Sequence, residues 1–281
     1  MGALLIGDVG GSSSRWALVE GPHTTLLHED GPWPGWNAAT GDGGSLMGRL
    51  HEAAPRLAGV DRVLVHAAGC GTAARAQRLG AALAPLLPKA DIAVEGDLLG
   101  AARAVWGNAP GLVLIAGTGM NAGRYDGGRL CAGIPSLGYI LGDEGSGADI
   151  GRALLRDALR ERMPPQVCEA VFGSVPVLAE VIERVYRGGG GAAFLAGPVA
   201  RLATVRHEPY VRALLGERFD ALAAEVGRVL GGGELRAVGS VAAGFREEMA
   251  AALQRHGLVL TRAVADPLPG LITYARQVLP R

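Results

Sequence analysis

Short apolar runs and longer amphipathic stretches alternate along this chain. Residues 3–8 and 112–116 are compact runs of β-forming apolar residues, and each predicts a buried strand. A turn of glycines and hydroxyls follows each run, Val9-Gly10-Gly11-Ser12-Ser13-Ser14 in the first case and Gly117-Thr118-Gly119 in the second. A second strand follows each turn, 15–20 and 120–125, and Gly21-Pro22 and Asp126-Gly127-Gly128 close the two pairs. Residues 129–134 complete the later unit. The same strand–turn–strand pattern therefore opens the chain and opens its second part, one small domain apart.

Helical periodicity fills much of the rest. Residues 45–57 predict a helix with Ser45 as N-cap, 72–87 a helix closed by Pro88, and 98–106 a third. Strands at 60–67 and 92–94 separate them. Residues 148–163 carry an apolar stripe at Ile150, Leu154, Leu155, Ala158 and Leu159. Residues 164–230 read as helical with a glycine break at 188–191, and the last piece buries Val211, Leu214, Leu215, Phe219, Leu222, Val226 and Val229. A strand at 235–238, a helix at 241–256 stopped by Gly257, and a closing helix at 267–279 end the chain. Residues 28–44, rich in Gly, Pro and Trp, form a long loop, the kind that in compact domains is functional or disordered. Strands alternating with helices imply an α/β fold with parallel pairs and helices on the sheet faces.

Composition narrows the function classes. The 281 residues suffice for two ordinary domains, and Lys plus Arg balance Asp plus Glu at 27 each. No global basic field exists to hold nucleic acid or an anionic membrane, so any phosphate site is local. Cys70, Cys131 and Cys168 are far apart, without a CxxC pair or zinc spacing, and read as free thiols of a reducing cytoplasm. The N-terminus runs directly into a strand with no basic n-region, and no apolar run reaches membrane-spanning length.

The chemistry concentrates at strand ends. The two glycine–hydroxyl turns expose main-chain N–H groups and can cradle phosphate, or can be plain hairpins. Asp8, at the end of the first strand, is a carboxylate beside such a turn, where a magnesium ion would sit. Asp97 falls between a strand and a helix, as an N-cap or as a general base. Trp36-Asn37, in the long loop, offers an apolar ring and an amide, or is a turn Asn beside a surface Trp. Asp143 and Glu144 precede a helix, with Gly142, Gly145 and Gly147 around them. Gly239-Ser240, between strand and helix, has the geometry that packs a backbone against adenine or ribose. No Walker GxxxxGK[ST] and no GxGxxG after a strand occurs.

These turns resemble the phosphate-1 and phosphate-2 motifs of the superfamily of sugar kinases, heat-shock ATPases and actin. Within it the chain is similar to the BadF/BadG/BcrA/BcrD-type ATPase family, in the branch that holds the N-acetylglucosamine kinases. The likeness rests also on 95–103 (EGDLLGAAR), 137–147 (LGYILGDEGSG) and 238–242 (VGSVA), and spans Gly7 to Tyr274. It implies a two-lobed ribonuclease-H-like, actin-like ATPase fold with a central nucleotide and sugar cleft. The lobes would be 1–110 with a returning helix 269–281, and 111–268. The implied activity is transfer of the ATP γ-phosphate to a hydroxyl of an amino sugar, N-acetylglucosamine first. Asp97 would be the base; Gly10, Gly11, Ser12, Ser13, Gly117, Thr118 and Gly119 would hold ATP phosphates; Asp8 would hold Mg²⁺. Gly145, Gly239 and Ser240 would meet adenosine. Asn37, Trp36, Asp97, Gly119 and Asp143 would meet the sugar, Gly35-Trp36-Asn37 matching the family's G-x-N loop. One glycine and a serine stand at 239–240 where the family usually has two glycines. Alternatives are an ATPase driving a partner protein, whose cluster cysteines or long insertions are missing, and a non-catalytic sugar sensor. Neither nucleic acid nor membrane is an expected partner, and the assembly state stays open, a homodimer being one option.

Overall fold

The computed structural model describes residues 2–36, 38, 43–187 and 190–278. Two compact units emerge: Met1–Ala109 with Gly127–Arg129 and Pro267–Arg281, and Pro110–Asp126 with Leu130–Asp266. They are called unit 1 and unit 2.

Unit 1 begins with β1 (Ala3–Val9), β2 (Ser13–Glu20), β3 (His23–Leu26), β4 (Trp33–Pro34) and α1 (Gly44–Ala53). It continues through β5 (Val60–Ala67), α2 (Ala73–Leu83), β6 (Asp91–Gly96) and α3 (Asp97–Trp106). The sheet order is β3-β2-β1-β5-β6, with β4 pairing β2. β1 and β2 are antiparallel, whereas β1, β5 and β6 are parallel, so these three end at one edge of the sheet. The two short strands β3 and β4 were invisible in the pattern. All four residues of β3 are exposed, so nothing alternates. Ser45 is not the cap of α1. That position belongs to Gly43 at φ 70°, a left-handed conformation that glycine adopts without strain.

Unit 2 opens with β7 (Gly111–Ala116), β8 (Met120–Tyr125) and β9 (Leu130–Gly133), then α4 (Gly138–Leu141) and α5 (Gly147–Leu159). Next come α6 (Pro165–Phe172), α7 (Leu178–Tyr186), α8 (Gly191–Ala196) and a 3₁₀ segment, Gly197–Val205. The unit ends with α9 (Pro209–Leu230), β10 (Gly233–Val238), α10 (Ser240–Gly244), α11 (Arg246–Arg255) and β11 (Leu258–Val264). The order β11-β10-β7-β8-β9 puts parallel pairs on one side of β7 and antiparallel pairs on the other. The expected single helix 241–256 breaks at Phe245 (φ −120°, ψ 39°), whose ring is buried 6.4 Å from that of Phe219. Strand β11 was not expected. It is an edge strand that buries only Leu258 and Leu260, and it starts directly after the glycine that stops the helix.

The chain then returns to unit 1 as α12 (Leu268–Val278). Strand alternation assigns the two faces of the first sheet. Leu5, Val9 and Trp16 join Leu46, Leu50, Leu79 and Leu83 on one side. Ile6, Ala17 and Val19 meet Ala104, Leu268 and Leu271 on the other. At the turn end of this sheet, buried Ser14 Oγ donates to the Pro34 carbonyl (2.8 Å) and accepts from Trp16 Nε1 (3.0 Å).

Replacing Ser14 by alanine strands an indole N–H and a carbonyl. The expected loss is about 1–3 kcal/mol of unfolding free energy, read from urea denaturation. A shift within error of zero contradicts the hydrogen-bond assignment.

Candidate functional site

In unit 2, three stretches distant in sequence meet through main-chain contacts. The 117–119 turn closes with the Gly117 N–H donating to the Gly119 carbonyl at 3.0 Å. The Gly147 N–H donates to the Gly117 carbonyl (2.7 Å), and the Ala148 N–H to that of Thr118 (3.0 Å). The first turn of α5 therefore sits on the turn. Gly239 lies beside it at φ 123°, where a Cβ would stand 2.3 Å from the Ala116 carbonyl oxygen. Only glycine allows that approach. Ser240, the first residue of α10, is exposed.

Asp143 joins this group from the other side. A Cβ on Gly119 would lie 2.9 Å from Asp143 Oδ2. Asp143 is a non-glycine residue at φ 60°, the kind of backbone strain that collects at functional sites. Burial raises its carboxyl above the usual range. The Met120 N–H opposes that by hydrogen bonding, Glu144 and Asp149 reinforce it, and the Arg152 charge opposes it.

The pattern did not reveal Asp149. Its carboxylate, 2% exposed, accepts from the Gly145 N–H (3.0 Å) and from Arg152 (2.7 Å), with Arg218 at 3.7 Å. Its own N–H donates to Ser146 Oγ, the cap of α5. Arg152 also donates to the Tyr139 carbonyl at 2.9 Å. Gly145 is glycine for a packing reason: at φ 69°, its missing Cβ would press within 2.8 Å of the Leu222 side chain. An acid at the third position of a helix, followed by arginine three residues on, is the only sequence sign of this network, and it is a common one.

In unit 1 the candidates gather where β1, β5 and β6 end. Asp8 is half-buried, level with Arg15 on β2 and His66 on β5. The Gly10 N–H donates to the Ser13 carbonyl (2.9 Å), closing the turn that carries Gly11 and Ser12, both exposed. Gly35, Trp36 and Ala38 are tied to this edge. The Trp36 N–H donates to the Gly10 carbonyl (2.9 Å) and the Ala38 N–H to that of Ala68 (3.2 Å). Gly35 crosses so close to the turn that a Cβ would lie 2.3 Å from the Gly10 oxygen. Asn37 lies outside the described residues. Trp36 corrects the expectation of an exposed ring: its indole is 5% exposed within the unit 1 core and anchors the loop, so it has no free face for a ligand.

Asp97 is not the N-cap of α3. Gly96 holds that position and Asp97 is the first helical residue, its Oδ1 accepting from the Leu98 N–H at 2.9 Å. Its charge reaches Cys70, whose thiol pKa is raised first by burial and then by Asp97. Two residues before it, Glu95 meets Arg103 and His66, a cluster not anticipated from the pattern. Burial alone would raise the Glu95 carboxyl, but hydrogen bonds from His66 and Arg103 and their charges hold it at about 2. Burial lowers the His66 pKa, against the pull of Glu95.

Among the described residues no group of three or more His, Cys, Asp or Glu gathers as a metal centre. Asp8 is instead a single hard oxygen donor beside a phosphate-sized turn, a set that suits Mg²⁺ carried by a phosphate ligand.

No protein-family model matches the chain, and neither does any curated protein. Solved structures do. One, described as a putative N-acetylglucosamine kinase from Porphyromonas gingivalis, is 33% identical, with 98% of this chain and 99% of that one covered and a TM-score of 0.82. The chain belongs to the same sugar-kinase family. A second protein described as a putative N-acetylglucosamine kinase, from Chromobacterium violaceum, matches at 20% identity over 98% and 99% of the two chains, with a TM-score of 0.65. A glucokinase of the ROK family from Streptomyces griseus, solved with glucose and AMPPNP, matches at 16% identity over 98% and 99%, with a TM-score of 0.53. The two mixed sheets and their helices are the α/β actin-like ATPase fold of these sugar kinases.

The buried histidine makes a pH prediction. Unfolded, His66 takes up a proton near its ordinary 6.5; folded, it resists. The unfolded state then binds more protons below that pH, so stability falls on acidification. Glu95, ionised in the fold down to about 2, adds to the loss below its ordinary 4.5. The raised Asp143 works the other way, but only in the carboxyl range. The melting temperature should therefore drop steadily from pH 7 to pH 5 in differential scanning calorimetry. A flat profile across that window contradicts a neutral buried His66.

Proposed function

We propose that this protein is an ATP-dependent kinase that transfers the γ-phosphate to a hydroxyl of an amino sugar, N-acetylglucosamine first, within the N-acetylglucosamine kinase branch of the BadF/BadG/BcrA/BcrD-type family. The observation that carries this is the convergence in unit 2 of the 117–119 turn, Asp143 and Gly239, three motifs far apart in sequence. The full-length relative described as a putative N-acetylglucosamine kinase supports the substrate class.

The roles follow from chemistry. The turns at 10–13 and 117–119 hold phosphate oxygens through main-chain N–H groups other than those of Gly10 and Gly117, which close the turns themselves. Asp8 holds Mg²⁺, which when bound neutralises charge on the phosphates. Gly145, Gly239 and Ser240 border adenosine. Asn37, Asp97, Gly119 and Asp143 meet the sugar hydroxyls. Asp97 accepts the proton of the attacking hydroxyl. Little covalent chemistry is asked of the protein, so positioning and charge neutralisation supply most of the rate. With Trp36 buried, the preference for an acetylated sugar rests on the relatives and not on an indole face. A cytoplasmic location suits an ATP-dependent enzyme with free thiols.

The test is a turnover screen with ATP, Mg²⁺ and a panel of hexoses, hexosamines and sugar acids. N-acetylglucosamine should give the highest kcat/KM, with glucosamine and glucose behind by roughly 10–200-fold. Asp97→Asn should cut kcat by about 10²–10⁴-fold while nucleotide affinity, measured by calorimetry, stays near wild type. Sugar-independent ATP hydrolysis as the main activity, or preference for a sugar acid, sinks the assignment.

A further inference from the structure

Beneath the end of β6 lies a charged cluster that the proposed chemistry does not use. Arg103, on α3, donates to both carboxylate oxygens of Glu95, the contact to Oε1 being 3.2 Å. His66 Nε2, on β5, is 3.2 Å from Glu95 Oε2 and 3.1 Å from an Arg103 nitrogen. One ring nitrogen cannot donate to the carboxylate and accept from the guanidinium together. Among the described residues His66 Nδ1 has no hydrogen-bond partner, and an orphaned acceptor is tolerated better than an orphaned N–H. The proton therefore sits on Nε2 and goes to Glu95. The Tyr274 ring of α12 covers the guanidinium, 5.1 Å from its centroid.

A partly buried ion pair of this kind adds little net stability compared with apolar side chains, because desolvation offsets most of the attraction. What it does supply is a single seating. Helix α3 approaches β5 at Gly100, where a Cβ would lie 2.5 Å from His66 Cβ and Cγ. One turn before that contact is Asp97, and six residues after Asp97 is Arg103, bolted back to the strand that Asp97 follows.

We propose that Arg103 is a positioning residue for Asp97: by clamping α3 to Glu95 over His66, it sets the direction in which the Asp97 carboxylate is presented. This rests on Asp97 as the base of the proposed kinase. Glu95 is the anchor of the clamp, and the Tyr274 ring stacks on the guanidinium.

Arg103→Lys keeps the charge but loses the planar fork that engages both oxygens. With N-acetylglucosamine and ATP–Mg²⁺, kcat should fall at least ten-fold, with the KM for ATP within two-fold and an unchanged circular dichroism spectrum. In the Asp97→Asn background the same change should cost less than two-fold, because the group being positioned is gone. Should Arg103→Lys not fold, Glu95→Gln in both backgrounds makes the same measurement. Unchanged kcat in the single variant, or an equal loss with and without Asp97, overturns the proposal. Failure of the kinase assignment looks different: wild-type protein would then phosphorylate no sugar on the panel.

Discussion

The candidate site of unit 2 depends on one constraint, the contact of main chain with main chain at the 117–119 turn. The carbonyls of Gly117 and Thr118 accept from the first amides of α5, and the side chain of Ser146 accepts from the next. A helix N-terminus normally leaves such donors for water or an anion. Here three of them are used internally. The turn, the helix and the 143–147 loop become one body, and a phosphate is left to the turn itself. The contact exists only because Gly147 and Gly239 carry no side chain. A Cβ on Gly147 would lie 3.1 Å from the Gly117 oxygen, and one on Gly239 still closer to that of Ala116.

Unit 1 reaches a similar end by another route. Parallel pairing brings the carboxyl ends of β1, β5 and β6 to one edge, so Asp8 and Asp97 share it without touching in sequence. The loop through Gly35 and Trp36 is held there by backbone hydrogen bonds and by the burial of its indole. Loops that carry function are usually positioned by a rigid scaffold, and here the scaffold is the first turn of the chain.

The carboxylates show how environment separates acids of one type. Glu95 and Asp143 are both partly buried. Glu95 faces a guanidinium and an imidazole N–H, which overcome desolvation and keep it ionised. Asp143 has one backbone donor, two acidic neighbours and a more distant arginine, so burial prevails and its pKa rises. Opposite shifts in similar burial show that a carboxylate's partners, and not burial alone, set its ionisation.

Local chemistry in the sequence determined the strand–turn–strand units, the α/β class and the residue types at strand ends, because turn glycines and period-two alternation act over a few residues. The resemblance carried by 95–103, 137–147 and 238–242 named the residues to watch. β3, β4, α4 and β11 left no pattern, since a segment that is exposed, or that buries only one or two residues, shows too few apolar positions to betray it. Phe245 broke a helix that its periodicity would have continued, because its ring had a partner in Phe219. Trp36 looked like a surface ring and became core, because the loop is pinned at Gly10, beside the apolar cluster of unit 1. Above all, the partners of charge were decided in three dimensions. Asp149 with Gly145, Arg152 and Arg218, and Glu95 with His66 and Arg103, join residues whose spacing is unremarkable. A sequence specifies that such groups are present; only packing specifies which of them lose water together, and that loss is what obliges them to pair.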